Sequence, residues 1–252
     1  MATTRSKILI TGASSGLGEE MARRFAGMGR DLALCARRVE RLDELRSELM
    51  TQHPGITVAV RALDVTDHDA VVTVFGELRD ELGGLDRVVV NAGLGKGAKI
   101  GSGRADANLQ TARTNFVGAL SQAEAALAIF RAQKHGHLVF VSSISADRGL
   151  PGAKATYSAS KAAVASLGES LATELARTDI VVTTLLPGFI ATDMSAGAGD
   201  SAALTATLDE GVTAMVRAIE SETRRAALPG LKWRGIDAAL RFLPNVLTDR
   251  MV

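Results

Sequence analysis

The stretch Lys7 to Gly18, KILITGASSGLG, decides how the rest of the chain is read. Ile8, Leu9 and Ile10 are apolar whichever way they point, which suits a strand buried on both faces of a parallel sheet. Gly12, Gly16 and Gly18 follow at once, interleaved with Ala13, Ser14, Ser15 and Leu17. The pattern predicts a strand, a tight turn and a helix. Gly12 can take backbone angles closed to other residues, Gly16 can let a phosphate approach the main chain, and Gly18 can let the helix pack close on the sheet. A pyrophosphate would then sit on the free N–H groups at the helix N-terminus, where the dipole favours an anion. The spacing is G-x-x-x-G-x-G rather than G-x-G-x-x-G, and a purely structural βα turn would show the same glycines.

Outward from this turn the chain alternates between strand and helix. Glu19 to Gly29 carries Met21, Ala22, Phe25 and Ala26 at helical spacing and stops at a glycine. DLALCA is the second strand, followed by a helix over 38–52. ITVAVRAL is the third strand, and Asp67 caps a helix to about Leu82 that Gly83-Gly84 ends. DRVVVNAG is the fourth, followed by one long helix from Asp106 to Lys134. HLVFVSS, a helix from Tyr157 to Arg177, IVVTTLLP and a short RAAL strand complete the series. Such alternation predicts a single α/β domain over 1–252: a doubly wound, Rossmann-like parallel sheet of about seven strands with helices on both faces. Ser195 to Ala206, SAGAGDSAALTA, reads as a mobile loop beside a substrate.

Composition narrows the classes. With 46% hydrophobic residues among 252 there is ample material for a core, and a net charge of +1 with scattered Lys and Arg offers no basic face for nucleic acid. The lone Cys35 forms no internal disulfide, and no Cys/His cluster has zinc spacing, so no metal is expected and a reducing, cytoplasmic compartment fits. Met1 to Ser6 is too short and polar for a signal peptide, and the longest apolar runs fall well below the ~18 residues that span a bilayer. A soluble protein is expected.

Ligands of such sheets bind beyond the C-terminal ends of the strands. After the second strand come Arg37 and Arg38, where an acid would select the ribose 2′-hydroxyl of NAD and a base pairs with the 2′-phosphate of NADP(H). Arginines at the start of an arginine-rich surface helix would look the same. After the third come Asp64 and Val65, the carboxylate placed either to accept from an adenine amino group or to cap a helix. After the fourth come Asn91, Ala92 and Gly93, and after the fifth Ser142 and Ser143. Tyr157 and Lys161 follow, four apart and so on one helical face. A cation held near a phenol lowers its pKa of ~10, and a tyrosine so tuned can pass a proton to or from a substrate oxygen. Tyr157 is the single tyrosine of the chain.

In combination these motifs resemble the short-chain dehydrogenase/reductase family over roughly Lys7 to Met194: TGASSGLG (11–18), NAG (91–93), TNFVG (114–118), SS (142–143), YSASK (157–161) and PGFIATDM (187–194). The resemblance implies a catalytic tetrad of Asn115, Ser143, Tyr157 and Lys161. Tyr157 would be the general acid/base, Ser143 the hydroxyl polarising the carbonyl, and Lys161 the binder of the nicotinamide ribose. Asn115 would hold a water of the proton relay. Asp64 and Asn91 would lie near the adenosine half, and Pro187, Gly188, Ile190 and Thr192 around the carboxamide. The implied activity is NADP(H)-dependent interconversion of a hydroxyl and a carbonyl on a small substrate, in a homodimer or homotetramer. The interval from Ser143 to Tyr157 is one residue longer than the family's usual one, which keeps Ser142 as an alternative.

Rival readings are a non-catalytic NADP(H)-binding redox sensor and two hydrolytic classes. Ser158 to Lys161 matches S-x-x-K but lacks its S-D-N and K-T-G partners, and no G-x-S-x-G exists for a serine hydrolase. His53, His68, His135 and His137 are expected on the solvated surface. A pocket of Leu94, Ile144, Leu150, Phe189 and the 195–206 loop would take an apolar or mixed substrate. The tail, Trp233 to Val252, is amphipathic, with Ile236, Ala239, Leu240 and Leu243 on one face. That stripe is expected against its own chain, its cleft or a second subunit, and not on a membrane.

Overall fold

The computed structural model describes residues 5–192 and 205–242. Its strands are β1 (Lys7–Thr11), β2 (Asp31–Ala36), β3 (Val58–Ala62), β4 (Arg87–Val90), β5 (His135–Val141), β6 (Asp179–Pro187) and β7 (Arg225–Leu228). They form one sheet in the order β3-β2-β1-β4-β5-β6-β7, and every neighbouring pair is parallel. The order reverses between β1 and β4, and a crevice opens at their C-terminal ends.

The apolar run that opens the chain is explained by helices on both faces. Ile8 and Ile10 pack with Met21 and Phe25 of α1 (Gly16–Gly27), Leu42 and Leu49 of α2 (Val39–Gln52) and Val212 and Met215 of α7 (Leu208–Glu220). Leu9 points the other way, into Phe75 and Leu78 of α3 (His68–Leu82), Phe130 of α5 (Gly118–Gln133) and Val164 of α6 (Ala155–Glu174). Asp67 caps α3 by accepting from the Ala70 N–H at 3.0 Å, and Gly83 ends it with φ +66°.

Three expectations are revised. The helix from Asp106 to Lys134 is three pieces: α4 (Ala105–Ala112), a π-helical turn Arg113–Val117, and α5. The wider turn carries Asn115 inward, where it is buried. α7 was not foreseen, although its start bears a capping box: Thr207 accepts from the Glu210 N–H and the Glu210 carboxylate accepts from the Thr207 N–H. The tail folds as α8 (Gly230–Phe242), whose Trp233 and Leu240 are buried against Ile144 and Ala227 of the same chain. Leu243 and the residues after it lie outside the described residues, as does 195–204 of the expected mobile loop. Among the described residues no helix is long and apolar enough to cross a membrane.

The third revision is His137, which is fully buried at the N-terminal edge of the sheet instead of solvated. Arg87 Nε donates to its Nδ1 at 2.9 Å, so the neutral ring carries its proton on Nε2 and donates to Thr183 Oγ1 at 2.9 Å. Arg87 is itself buried and paired with Glu220, and Arg5 pairs with Glu222. Burial above all, then the charges of Arg87 and Arg5, holds the His137 pKa well below the ordinary histidine value. Above pH ~6.5 the ring is neutral in both the folded and the unfolded chain. Below it the unfolded chain binds a proton that the folded one refuses, so stability falls with pH by up to about 1.4 kcal/mol per unit. Chemical denaturation between pH 7 and 5 should show this slope, and His137→Gln should flatten it. An equally steep slope in the variant would assign the acid sensitivity to other groups.

Candidate active site

The β1–α1 turn is built by what its glycines lack. A Cβ on Gly18 would run into the Gly12 carbonyl and lie 2.6 Å from Asn91 Nδ2. One on Gly12, whose φ is +64°, would come within 2.9 Å of Ala92 Cα. Thr11 Oγ1 accepts from the N–H groups of Asn91 and Ala92, both at 3.1 Å, and Asn91 Nδ2 donates to the Thr11 carbonyl at 2.9 Å. The ends of β1 and β4 are thereby locked together. Ser15, the N-cap of α1, is extended and makes no side-chain cap, so the first-turn N–H groups have no side chain of their own to satisfy them. This arrangement fits a dinucleotide: the donors, the helix dipole and the missing side chains all favour a pyrophosphate.

A cleft of about 390 Å³ runs along the strand ends from this turn. Every expected cofactor residue except Gly18 lines it, as do Ser142, Ser143, Tyr157 and Lys161. Gly18 and Asn115 act from behind the wall. At the adenosine end Arg38 folds back over the glycine turn and donates to Ser15 Oγ at 2.8 Å and Ser14 Oγ at 3.1 Å. Asp64 accepts from the N–H and hydroxyl of Thr66 at 3.0 and 2.8 Å, a contact that, ahead of the nearby Arg37 charge, lowers its pKa. Asp64 therefore closes a turn, and the helix cap belongs to Asp67.

At the other end the two serines are told apart. Ser142 Oγ donates to the Lys161 carbonyl at 2.7 Å, whereas the Ser143 hydroxyl bonds the Tyr157 phenol and lies 2.7 Å from Ser145 Oγ. Ser145 also lines the cleft and was missed in the sequence, where it is one serine among several. Burial raises the Tyr157 pKa above its ordinary value, and the Ser143 contact draws it back. Lys161 Nζ donates to the Val141 carbonyl at 2.8 Å and lies 5.9 Å from the Tyr157 ring centroid. Burial pushes its pKa down to about 8. Asn115 spends its amide on the protein: Nδ2 donates to the Leu94 carbonyl at 2.9 Å and Ser160 Oγ at 3.1 Å, and Oδ1 accepts from the Leu94 N–H at 2.7 Å. Its side chain pins the loop after β4 to α6.

On the substrate side Leu94, Leu150 and Phe189 line the cleft. Ile144 does not: it is buried behind, against Trp233 of α8. The Trp233 ring covers Gly188, where a Cβ would meet Cε3 at 2.5 Å, and stands edge-on to Phe189 with centroids 5.6 Å apart. Arg225 anchors α8 by donating to Asp147 and Asp237, each at 2.7 Å. Burial first, then the Asp237 carboxyl, pushes Asp147 up to about 7.

A parallel sheet of this order with a dinucleotide-shaped turn and a Ser–Tyr–Lys group on one cleft defines a class of oxidoreductase, and sequence comparison agrees. The family profile described as short chain dehydrogenase matches residues 6–203, and the chain belongs to the short-chain dehydrogenase/reductase family. It is 54% identical to an uncharacterized oxidoreductase of Mycobacterium tuberculosis over 98% of this chain and 97% of that one. Among solved structures it resembles the NADPH-dependent 3-quinuclidinone reductase of Rhodotorula rubra, at 28% identity and a TM-score of 0.78 over 87% of this chain and 88% of that one. A family member from Burkholderia phymatum in complex with NAD shares the fold at a TM-score of 0.84 and 21% identity, over 99% and 96% of the two chains.

Asn115→Ala should leave the Leu94 N–H and carbonyl without their partner and cost about 1–3 kcal/mol of stability. Equilibrium unfolding of the variant measures this. A loss below a few tenths of a kcal/mol would show that the clamp on the β4 loop carries no weight.

Proposed function

We propose that this protein is an NADP(H)-dependent oxidoreductase that interconverts a hydroxyl and a carbonyl on a small apolar or mixed molecule. One observation carries the reading: Tyr157, bonded by Ser143 and overlain by Lys161, faces the same cleft as the uncapped glycine turn. When bound, the nicotinamide supplies or takes up the hydride. The turn from Gly12 through Gly18 would hold the pyrophosphate, Arg37 and Arg38 the 2′-phosphate, Asp64, Val65 and Asn91 to Gly93 the adenosine half, and Pro187, Gly188, Ile190 and Thr192 the carboxamide. The NADPH dependence of the Rhodotorula reductase supports the same cofactor choice.

The chain's own groups handle the proton. At neutral pH the raised pKa keeps Tyr157 protonated, which is the form that gives a proton to a carbonyl oxygen during reduction. Ser143 donates a second hydrogen bond to that oxygen, and Ser145 orients the Ser143 hydroxyl. Lys161 lends positive charge beside the phenol and would bind the nicotinamide ribose, while Asn115 positions the loop after β4 and would hold a water of the proton relay. A cytoplasmic homodimer or homotetramer belongs to this reading. The exposed apolar residues Leu109, Val117 and Leu120 along α4 and α5 support a second copy there.

Tyr157→Phe should cut turnover by a factor of about 10² or more while NADPH affinity, followed by fluorescence titration, stays nearly constant. Undiminished activity on a verified substrate would remove Tyr157 as the acid, and NADPH binding with no turnover of any carbonyl compound by the wild type would favour the redox sensor instead. For the cofactor, NADPH should bind at least about tenfold more tightly than NADH, the scale of one charge-assisted contact of about 1.5–3 kcal/mol, and Arg37→Asp should reverse the order. Equal wild-type affinities would place Arg37 outside the site.

A further inference from the structure

The serines around Tyr157 use their hydroxyls in two ways. Ser142 donates to the Lys161 carbonyl at 2.7 Å, Ser158 to the Ala155 carbonyl at 3.0 Å and Ser160 to the Tyr157 carbonyl at 2.7 Å. Each spends its proton on nearby main chain, the ordinary local use of a serine. Ser145 does otherwise. It stands in the short 3-10 turn Ile144–Ala146 that follows Ser143, where it is buried and lines the cleft. Its hydroxyl meets the Ser143 hydroxyl at 2.7 Å, and its N–H donates to the same oxygen at 3.3 Å. Among the described residues no other group bonds the Ser145 hydroxyl.

The direction of the bond between the two serines follows from their chemistry. The Ser143 contact draws the Tyr157 pKa down, so it favours the phenolate, and Ser143 is the donor in it. Its proton is thus committed to Tyr157, or to the reacting oxygen once a substrate is bound, and the proton shared with Ser145 comes from Ser145. Ser143 Oγ then accepts from the Ser145 O–H and N–H together. Ser145 has spent its one proton and keeps its lone pairs. A buried hydroxyl on a cleft wall, with acceptor capacity and no donor to fill it, is matched by a ligand that brings the donor. The side chains of Leu94, Leu150 and Phe189, which line the same end, have none to give.

Building on the oxidoreductase reading above, we infer that the substrate is an α-hydroxy carbonyl compound, reduced to a vicinal diol, and that Ser145 recognises its hydroxyl. Oxygens on adjacent carbons lie about as far apart as the two serine oxygens, so the four close a ring. The substrate hydroxyl donates to Ser145, Ser145 to Ser143, and Ser143 to the carbonyl oxygen, which also accepts from Tyr157. Bonds aligned in such a chain strengthen one another. In the reduction the carbonyl carbon takes the hydride of NADPH, which is oxidised to NADP+, and the electron pair of the broken C=O π bond takes the Tyr157 proton. The neighbouring hydroxyl keeps its own proton throughout. A ketone without a second oxygen leaves the ring open at Ser145.

The test compares 1-hydroxy-2-ketones of increasing chain length with the 1-methoxy-2-ketones and plain 2-ketones of the same chain, with NADPH oxidation as readout. Hydroxyl and ether activate the carbonyl alike, and only the hydroxyl can donate. For the best chain length the wild type should favour the hydroxy ketone over its ether at least about tenfold in kcat/KM. Ser145→Thr and Ser145→Val differ by a hydroxyl at nearly equal volume. The first should keep the ratio and the second bring it within about twofold, whatever either does to the absolute rate. Thermal unfolding of both variants separates loss of fold from loss of selectivity. A wild-type ratio near one, a ratio that Ser145→Val leaves intact, or equal loss of it in both variants overturns the inference while the oxidoreductase activity stands. Failure to turn over any carbonyl compound while NADPH still binds would overturn the oxidoreductase reading and this inference with it.

Discussion

The close contact of α1 with the end of β1 is the constraint on which the site depends. Gly18 sits against the Gly12 carbonyl with no room for a side chain, and Asn91 reaches across from the end of β4 to the Thr11 carbonyl. Since β1 and β4 are the strands between which the sheet order reverses, this one lock fixes the mouth of the crevice and aims the first turn of α1 into it. The same packing leaves Ser15 extended and the α1 N–H groups uncapped. A helix end left so would be a defect in a merely structural turn, and it is the feature that an anion requires.

Burial acts on the two ionisable groups of the site in opposite directions. It raises the phenol of Tyr157 and lowers the ammonium of Lys161 to about 8, so each is shifted toward its neutral form while the lysine stays mostly cationic at neutral pH. The sequence spacing suggested a lysine that pulls the tyrosine down. In the folded chain the Ser143 hydroxyl draws it part of the way back, and Lys161, tethered to the Val141 carbonyl, stands 5.9 Å from the ring centroid. In the proposed reaction Tyr157 would therefore act first as a proton donor. Acting as a base would need additional positive charge or hydrogen bonding brought to the phenolate by whatever occupies the cleft.

What could be read from the sequence was whatever depends on backbone. The strand pattern, the glycine turn and the Asp67 cap are local, and periodicity and turn chemistry give them directly. The misreadings are all non-local. A π-turn adds one residue to a helix without any composition signal, so Asn115 was placed on a continuous helix. His137 looked solvated because Lys134, His135 and Gly136 before it are polar or small, whereas its burial comes from Arg87, Thr183 and the end of α7. The start of α7 was written in Thr207 and Glu210, yet it follows a stretch of small residues in which two capping residues do not stand out.

The substrate half was the least legible for the same reason carried further. Beside Leu94 and Leu150 its wall holds Phe189 of the loop after β6, backed by Trp233 from α8, which is anchored through Arg225 of β7 to Asp147 of the loop after Ser143. Segments from separate parts of the chain meet there, and none carries a motif of its own. A cofactor shared across a family is held by main-chain donors at fixed spacing, and that spacing survives in the sequence as glycines. A substrate peculiar to one member is held by side chains converging from separate elements, so only the folded chain brings Phe189, Trp233 and Lys154 into one surface.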